Sequence, residues 1–136
     1  MLISLLSACS SKHKKEEDQF EKLKAINLIK EFYANLHEQK YHKTYRLYSP
    51  DFLKKIDTTT IKNIYEALEI KAGNVDSISK IDCEIDCEEG TNKSCTYIIS
   101  CLVKRSQYVT KERFTLNSVG ESSPTITVYA LDGIIR

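Results

Sequence analysis

Apolar side chains recur at helical spacing through the first third of the chain. One stripe, at positions i, i+3, i+4, i+7 and i+11, consists of Ala25, Leu28, Ile29, Phe32 and Leu36. That spacing predicts a long helix over residues 16–39. Leu23, Ile26 and Tyr33 widen the apolar surface of this helix. Such a wide apolar surface is typical of a helix packed against a sheet.

Two shorter helical faces follow the long helix. The first is rich in aromatic groups and consists of Tyr41, Thr44, Tyr45 and Tyr48. We expect it to end before Pro50, because a proline disfavours helix in the residue that precedes it. The second lies on one side of a predicted helix and consists of Ile61, Ile64, Tyr65, Leu68 and Ala72. A threonine of the 58–60 run can cap this helix, and Gly73 can end it.

The pattern changes to a period of two after Asn74. Ile81, Cys83, Ile85 and Cys87 alternate with Asp82, Glu84, Asp86 and Glu88. Similar alternation predicts strands over 81–88, 95–103, 108–116 and 125–131, with a turn at 89–93 and a loop at 117–124. Helices followed by an antiparallel meander predict an α+β fold, in which N-terminal helices pack on a four-stranded sheet.

Length and charge exclude several classes of protein. A chain of 136 residues is long enough for one domain with a core and too short for two ordinary domains. The 20 basic and 19 acidic residues give a net charge of +1, which argues against a dedicated nucleic-acid binder. No apolar run approaches the roughly 20 residues that a membrane-spanning helix needs. The five cysteines form an odd set, so one of them must differ from the rest.

The segment Leu6-Ser7-Ala8-Cys9 resembles the cleavage site of a bacterial lipoprotein signal peptide. The resemblance implies a signal peptide over 1–8, a lipidated Cys9 with a polar tether over 9–17, and a single domain over 18–136. No lysine or arginine precedes Cys9, so we expect the signal peptide to be truncated.

The same resemblance implies a location. A cysteine carrying several acyl chains would hold the protein stably on a membrane of the bacterial cell envelope. An aspartate after the cysteine would imply retention at the inner membrane, but Ser10 stands there. We therefore expect the periplasmic face of the outer membrane rather than the inner membrane.

The remaining cysteines are Cys83, Cys87, Cys95 and Cys101, which we expect to form disulfides in an oxidising compartment. A turn centred on Thr91 places Cys87 opposite Cys95, and Cys83 opposite Ile99. A register two residues longer places Cys83 opposite Cys101, and a bulge between the pairs could bring both into reach. We predict nested bridges, Cys87–Cys95 and Cys83–Cys101, although sequence leaves three pairings open. Their spacing lacks the tight cysteine pairs of a zinc ribbon, so we expect no metal.

A second resemblance covers most of residues 20–133. The matching stretches are 32–45, 68–73 and 108–114. Their order is similar to that of the nuclear transport factor 2-like, or cystatin-like, superfamily, and in particular to its small bacterial lipoproteins. The resemblance implies helices packed on a curved sheet, a cone-shaped pocket between them, and a homodimer through the sheet face. In place of the family's frequent Trp-Lys-Ile in the last strand, this chain has Thr125-Ile126-Thr127.

Candidate chemistry is sparse outside the cysteines. Tyr33, Tyr45, Tyr65 and Tyr97 could line the implied pocket. No positioned base and nucleophile can be identified, so we predict no catalytic residue and no cofactor. The acidic row over 82–88 is more typical of a solvated strand face than of a cation site.

These observations predict a lipid-anchored envelope protein whose domain is a non-catalytic binding or scaffolding module for an unknown protein or small ligand. One alternative is a small-ligand carrier or an enzyme of the steroid-isomerase-like type that uses the cone pocket. Another alternative is an accessory subunit of a secretion or conjugation system.

Overall fold

The computed structural model describes the backbone from Leu2 to Arg136 and the side chains from Lys15 to Arg136. Its elements, in chain order, are α1 (Leu2–His37), α2 (Pro50–Lys55), α3 (Thr58–Ala72), β1 (Val75–Glu88), β2 (Ser94–Arg105), β3 (Val109–Val119) and β4 (Thr125–Ile135). Two 3₁₀ turns, Tyr41–Lys43 and Tyr45–Leu47, lie between α1 and α2. The predicted lipidation site Cys9 lies outside the described side chains, as do the predicted signal peptide and most of the tether.

The predicted stripe of α1 forms much of the core. Its buried members, with Tyr33 beside them, are Ala25, Ile29, Phe32 and Leu36. Leu23 does not extend this surface as predicted, because its side chain is 56% exposed. Leu23 precedes Ala25 by two residues, which places it about 200° around the helix and therefore on the opposite side.

Side-chain caps fix the starts of the two short helices. Ser49 accepts a hydrogen bond from the Phe52 amide at 3.1 Å, and Pro50 occupies the first turn of α2. Asp57 caps α3 by accepting a bond from the Thr60 amide at 2.8 Å. The prediction of a threonine cap was therefore wrong, because the Asp57 carboxylate, one residue before Thr58, accepts the hydrogen bond from the Thr60 amide.

The four strands form an antiparallel sheet in the order β1-β2-β3-β4, which confirms the predicted α+β arrangement. β1 begins earlier than predicted, because Val75 pairs with Arg105 at the far end of β2. β3 extends to Val119 into the predicted loop, and β4 continues to Ile135 past a bulge. The sheet is therefore longer at both ends than its alternating segments indicate.

The two faces of the sheet differ in what covers them. The inner face packs on α1. The core side chains that β2, β3 and β4 contribute to it are Tyr97, Ile99, Val103, Phe114, Leu116 and Ile126. Side chains at the alternate positions of β2 and β3 are exposed or half-buried and define the outer face. This division separates the core from the surface that is open to a partner.

Gly73 joins α3 to β1 at a position that no other residue fits. Its φ is +96°, and a Cβ there would lie 2.0 Å from the Ser106 hydroxyl and 2.8 Å from the Gln107 amide. We expect Gly73→Ala to lower the free energy of unfolding by about 2–4 kcal/mol, from backbone strain plus overpacking.

Gly120→Ala is the matched control, because Gly120 also has a positive φ (+63°) but an added Cβ there meets nothing within 4 Å. It should cost about 1 kcal/mol, from strain alone. Urea unfolding of both variants measures the difference, and equal losses would show that the close approach of Ser106 does not constrain this corner.

Candidate functional site

A buried ion pair occupies the inner face of the sheet. Arg105 lies at the end of β2 and Glu112 on β3, and their side chains are 2% and 0% exposed. The guanidinium Nη2 lies 3.0 Å from Glu112 Oε2, and Nε lies 3.2 Å from the same oxygen. Nη2 also lies 3.3 Å from Glu112 Oε1, so the guanidinium contacts both oxygens of the carboxylate, which makes a strong, directional pair.

Three hydroxyl groups complete the surroundings of the Glu112 carboxylate. Tyr33 and Tyr129 donate hydrogen bonds to Oε1 at 2.7 and 2.5 Å, and Thr110 donates to Oε2. An ionised carboxylate offers about four acceptor positions. We call Tyr33, Arg105, Thr110, Glu112 and Tyr129 the Glu112 cluster, in which the carboxylate has no position left for a substrate or metal.

The Glu112 cluster connects separate elements of the fold. Tyr33 comes from α1 and Tyr129 from β4, while Arg105 Nη1 donates to the Gly73 carbonyl at 3.2 Å. One carboxylate therefore links the long helix, three strands and the corner between α3 and β1. This arrangement is what a structural role requires.

Burial keeps the two tyrosines of the cluster protonated. It raises the pKa of Tyr33 and the pKa of Tyr129 well above the ordinary tyrosine value, and the neighbouring Glu112 carboxylate raises both further. Both hydroxyls therefore remain hydrogen-bond donors at neutral pH rather than acting as bases.

A second chain of hydroxyls runs through the helical side of the core. Thr44 uses its only hydroxyl proton on the Tyr41 carbonyl at 2.7 Å, so it must accept from Tyr65 at 2.7 Å. Tyr48 in turn donates to Tyr65 at 2.7 Å. Burial raises the pKa of Tyr65 to about 12. The hydrogen bonds run in one direction, from Tyr48 to Tyr65 to Thr44, so each hydroxyl proton is already donated within the chain and none remains for a bound group.

The four tyrosines predicted to line a pocket belong to different parts of the structure. Tyr33 joins the Glu112 cluster and Tyr65 the hydroxyl chain, while Tyr45 is half-buried on the second 3₁₀ turn. Tyr97 donates a hydrogen bond to Glu21 of α1 at 2.9 Å, and burial raises the pKa of Tyr97 to about 12. The structure therefore does not gather their hydroxyls around one cavity.

Phe32 fills the space between the helices and the sheet. Its ring is fully buried and lies 5.1–6.3 Å, between centroids, from the rings of Tyr33, Tyr48, Tyr65, Phe114 and Tyr129. A cleft of about 210 Å³ lies between Phe52, Ile61 and Val128, and a larger cleft of about 600 Å³ lies between α2 and the end of β3. Ligand sites usually occupy about 300–1,000 Å³, so the first cleft is small for an organic ligand and the second is not.

The cysteine hairpin agrees with the prediction at one pair. Cys87 and Cys95 lie directly opposite each other and form a disulfide, as predicted. Cys83 pairs with Ile99, which is the register centred on Thr91 without the predicted shift, and Cys83 and Cys101 are free thiols.

The predicted second bridge, Cys83–Cys101, is therefore not present. The bulge of β1 falls between Ser79 and Asp82, outside the segment that separates the two cysteine pairs. It cannot shift Cys83 along β2, so Cys101 stays on the diagonal, where the spacing is too long for a bridge.

Three further observations concern the part of the chain whose side chains are described. Within it, no group of three or more His, Cys, Asp or Glu side chains is placed to hold a metal ion. Every buried polar side-chain atom in residues 15–136 has a hydrogen-bond partner. No helix among the described residues combines the length and apolarity needed to cross a membrane.

The sequence analysis did not predict the Glu112 cluster, although the alternation of buried and exposed positions along β2 and β3 indicates it. Ile99, Cys101, Val103 and Arg105 share one face of β2, and Thr110, Glu112 and Phe114 share one face of β3. The pattern therefore places both charges at inward positions. An inward acid on one strand beside an inward base on its neighbour predicts a buried pair.

No family model, no curated protein and no solved structure matches this chain. Helices followed by a four-stranded antiparallel sheet are compatible with a nuclear transport factor 2-like fold, which stays a prediction from the sequence.

Loss of the Glu112 charge should strongly destabilise the fold. Glu112→Gln leaves Arg105 buried without its partner, so we expect the free energy of unfolding to fall by about 3–5 kcal/mol. Tyr33→Phe removes one donor and should cost about 1–2 kcal/mol. Urea denaturation measures both effects.

Asp132→Asn is the control, because it breaks the Arg113–Asp132 pair at the surface, with its 3.3 Å contact. That change should cost less than about 1 kcal/mol. If Glu112→Gln were as stable as the unaltered chain, the Glu112 cluster would not organise the fold.

The free thiols give a direct test of the cysteine assignment. Burial raises the pKa of Cys101 to about 11 and also raises the pKa of Cys83, which is only half-buried. In a folded Cys9→Ser chain, iodoacetamide should label Cys83 first, and labelling of Cys101 should accelerate as the pH rises toward 11, because the thiolate is the nucleophile.

Mass spectrometry after denaturation without reduction should then find both thiols labelled, and Cys83→Ser should leave one. A denatured, unreduced chain that takes up no label would show that the second bridge forms after all.

Proposed function

We propose that this chain is a lipid-anchored protein of the bacterial cell envelope, on the periplasmic face of the outer membrane, with a non-catalytic binding or scaffolding domain. The lipobox-like segment Leu6-Ser7-Ala8-Cys9 supports the anchor. The disulfide Cys87–Cys95 supports an oxidising compartment such as the periplasm.

The outer face of the sheet is the observation that carries the binding role. Its β1 column is acidic and consists of Asp82, Glu84, Asp86 and Glu88. Its β2 column contains Ile98, which is 43% exposed, and Leu102, while its β3 column contains exposed Lys111 and Arg113. Apolar side chains flanked by charge of both signs are typical of a surface that binds another protein.

The interior of the domain supports binding at the surface over chemistry in a pocket. The Glu112 carboxylate is fully bonded, and the fully buried ring of Phe32 fills the core between the helices and the sheet. A general acid or base must reach a proton of its substrate, and Glu112 is committed to five neighbouring donor atoms. A carrier or isomerase-like enzyme therefore receives less support than a binding module.

The anchor can be tested in the host cell. The mature protein should fractionate with membranes, and its intact mass should correspond to a chain that begins at acylated Cys9. Cys9→Ser should abolish acylation and release the protein from the membrane fraction, because the thiol is the acylated group. Cys83→Ser is the matched control and should leave the protein on the membrane.

A membrane-extracted chain that retains Met1 and carries no acyl group would contradict the anchor. Release of the protein from membranes by Cys83→Ser as well would show that attachment depends on the fold rather than on Cys9.

A further inference from the structure

β4 forms one edge of the sheet, and its own chain covers only the start of that edge. Residues of an antiparallel strand direct their N–H and C=O groups alternately toward one neighbouring strand and away from it. Ile126 points away from β3, because its carbonyl accepts a hydrogen bond from the Ser49 amide at 2.8 Å and it forms a parallel bridge with Tyr48. This contact ends where Pro50 opens α2.

Three later residues of β4 also direct their backbone groups away from β3. Ile126 pairs with Leu116, so the β4 partners of the even-numbered β3 residues all point to the open edge. Beyond Ile126 these partners are Tyr129, Leu131 and Ile134. Among the described residues, no backbone group outside the sheet bonds to these three. The edge therefore presents unpaired donors and acceptors at the spacing of a strand.

The opposite edge of the sheet is protected by charge. β1 carries charged side chains at six positions, 76, 80, 82, 84, 86 and 88. Charged side chains on an edge discourage pairing with another strand. β4 has one charged side chain, Asp132, whose carboxylate lies 3.3 Å from Arg113 of the neighbouring β3. The β4 edge therefore lacks the charges that keep a further strand away from β1.

An apolar cleft lies beside the open edge. It has a volume of about 210 Å³ and lies between Ile61 and Ile64 of α3 and Val128 of β4. Ile64 and Val128 are 41% and 43% exposed, and Leu131 farther along the edge is 39% exposed. The cleft is small for an organic ligand, but it can accept an apolar side chain from a strand that lies along β4.

We propose that the open edge of β4 binds an extended segment of another protein, antiparallel to β4, as a fifth strand of the sheet. The segment exchanges backbone hydrogen bonds with Tyr129 and Leu131, and its apolar side chains at alternate positions pack beside the cleft. We assign the antiparallel direction because that pairing is slightly more stable per residue. A segment with little charge and apolar residues at every second position fits this edge. The site is separate from the outer face and does not depend on it.

The antiparallel register makes a sharp prediction about the bound segment. In a directly bonded pair, the two residues exchange both hydrogen bonds and their side chains share one face of the sheet. The side chains of Tyr129 and Leu131 lie on the inner side, as their partners Phe114 and Glu112 do. The residues of the segment that bond to β4 are therefore the apolar ones.

Fluorescence anisotropy with the full-length Cys9→Ser chain tests this pairing. The probe is a labelled peptide in which Val and Thr alternate three times between two terminal lysines, and it should bind. N-methylation of its Val amides should weaken binding at least ~10-fold, because these amides donate to β4. N-methylation of its Thr amides is the matched control and should leave binding unchanged, because these amides point away from β4.

Variants of β4 test the same contact from the other side. Leu131→Pro removes an outward donor and should weaken binding of the probe at least ~10-fold, while an edge strand tolerates proline where its N–H faces solvent. Leu131→Thr keeps the donor and should still bind. Near-UV circular dichroism of the buried tyrosines checks that both variants are folded.

A charge beside the cleft gives a second, independent variant. Val128→Lys should also weaken binding of the probe at least ~10-fold, because a charged side chain opposes pairing at an edge. Ile98→Lys is the matched control, because Ile98 is also 43% exposed but lies on the outer face. It should leave binding of the probe unchanged, which separates this site from the binding role proposed for the outer face.

A chain that does not bind the unmethylated probe at about 1 mM would overturn the proposal. Equal binding of the two methylated probes would overturn it, as would full binding by both Leu131→Pro and Val128→Lys. Sedimentation in which Val128→Lys dissociates a dimer would assign the edge to a second copy of the chain and would likewise overturn it.

Discussion

The buried carboxylate of Glu112 is the constraint on which the rest of the structure depends. A charge at 0% exposure is tolerable only when every acceptor position is filled, and donors from α1, β2, β3 and β4 fill them. Those donors can converge only if α1 crosses the sheet where Tyr33 lies over Glu112, and if β4 keeps the register that places Tyr129 beside it. Arg105 extends the constraint to Gly73, where α3 turns into β1.

This organisation assigns opposite roles to the two faces of the sheet. The inner face holds the Glu112 cluster, but each of its polar groups is hydrogen-bonded within the chain, and Phe32 packs beside them. The outer face leaves Ile98, Asp82 and Arg113 open to solvent. The charge order of the outer face follows from the register of β1, β2 and β3.

The sequence predicts those parts of the fold that local patterns specify. The stripe through Phe32 predicts α1 from residue 16 onward, although α1 begins at Leu2, and a turn centred on Thr91 yields the observed Cys87–Cys95 register. Pairing between distant residues is not visible in such patterns. Tyr33 meets Glu112 across 79 positions, and the polar start of β1 becomes strand only because Val75 pairs with Arg105.

The central proposal is that a partner binds the outer face of the sheet, and a thiol at position 98 tests it most directly. Ile98→Cys in host cells, labelled with a reagent that couples the thiol to a photoreactive group, should yield a covalent adduct with another protein after illumination. Ile70→Cys, at an 81% exposed position of α3, should yield no adduct. Equal yields from both positions, or none from Ile98→Cys, would contradict the account.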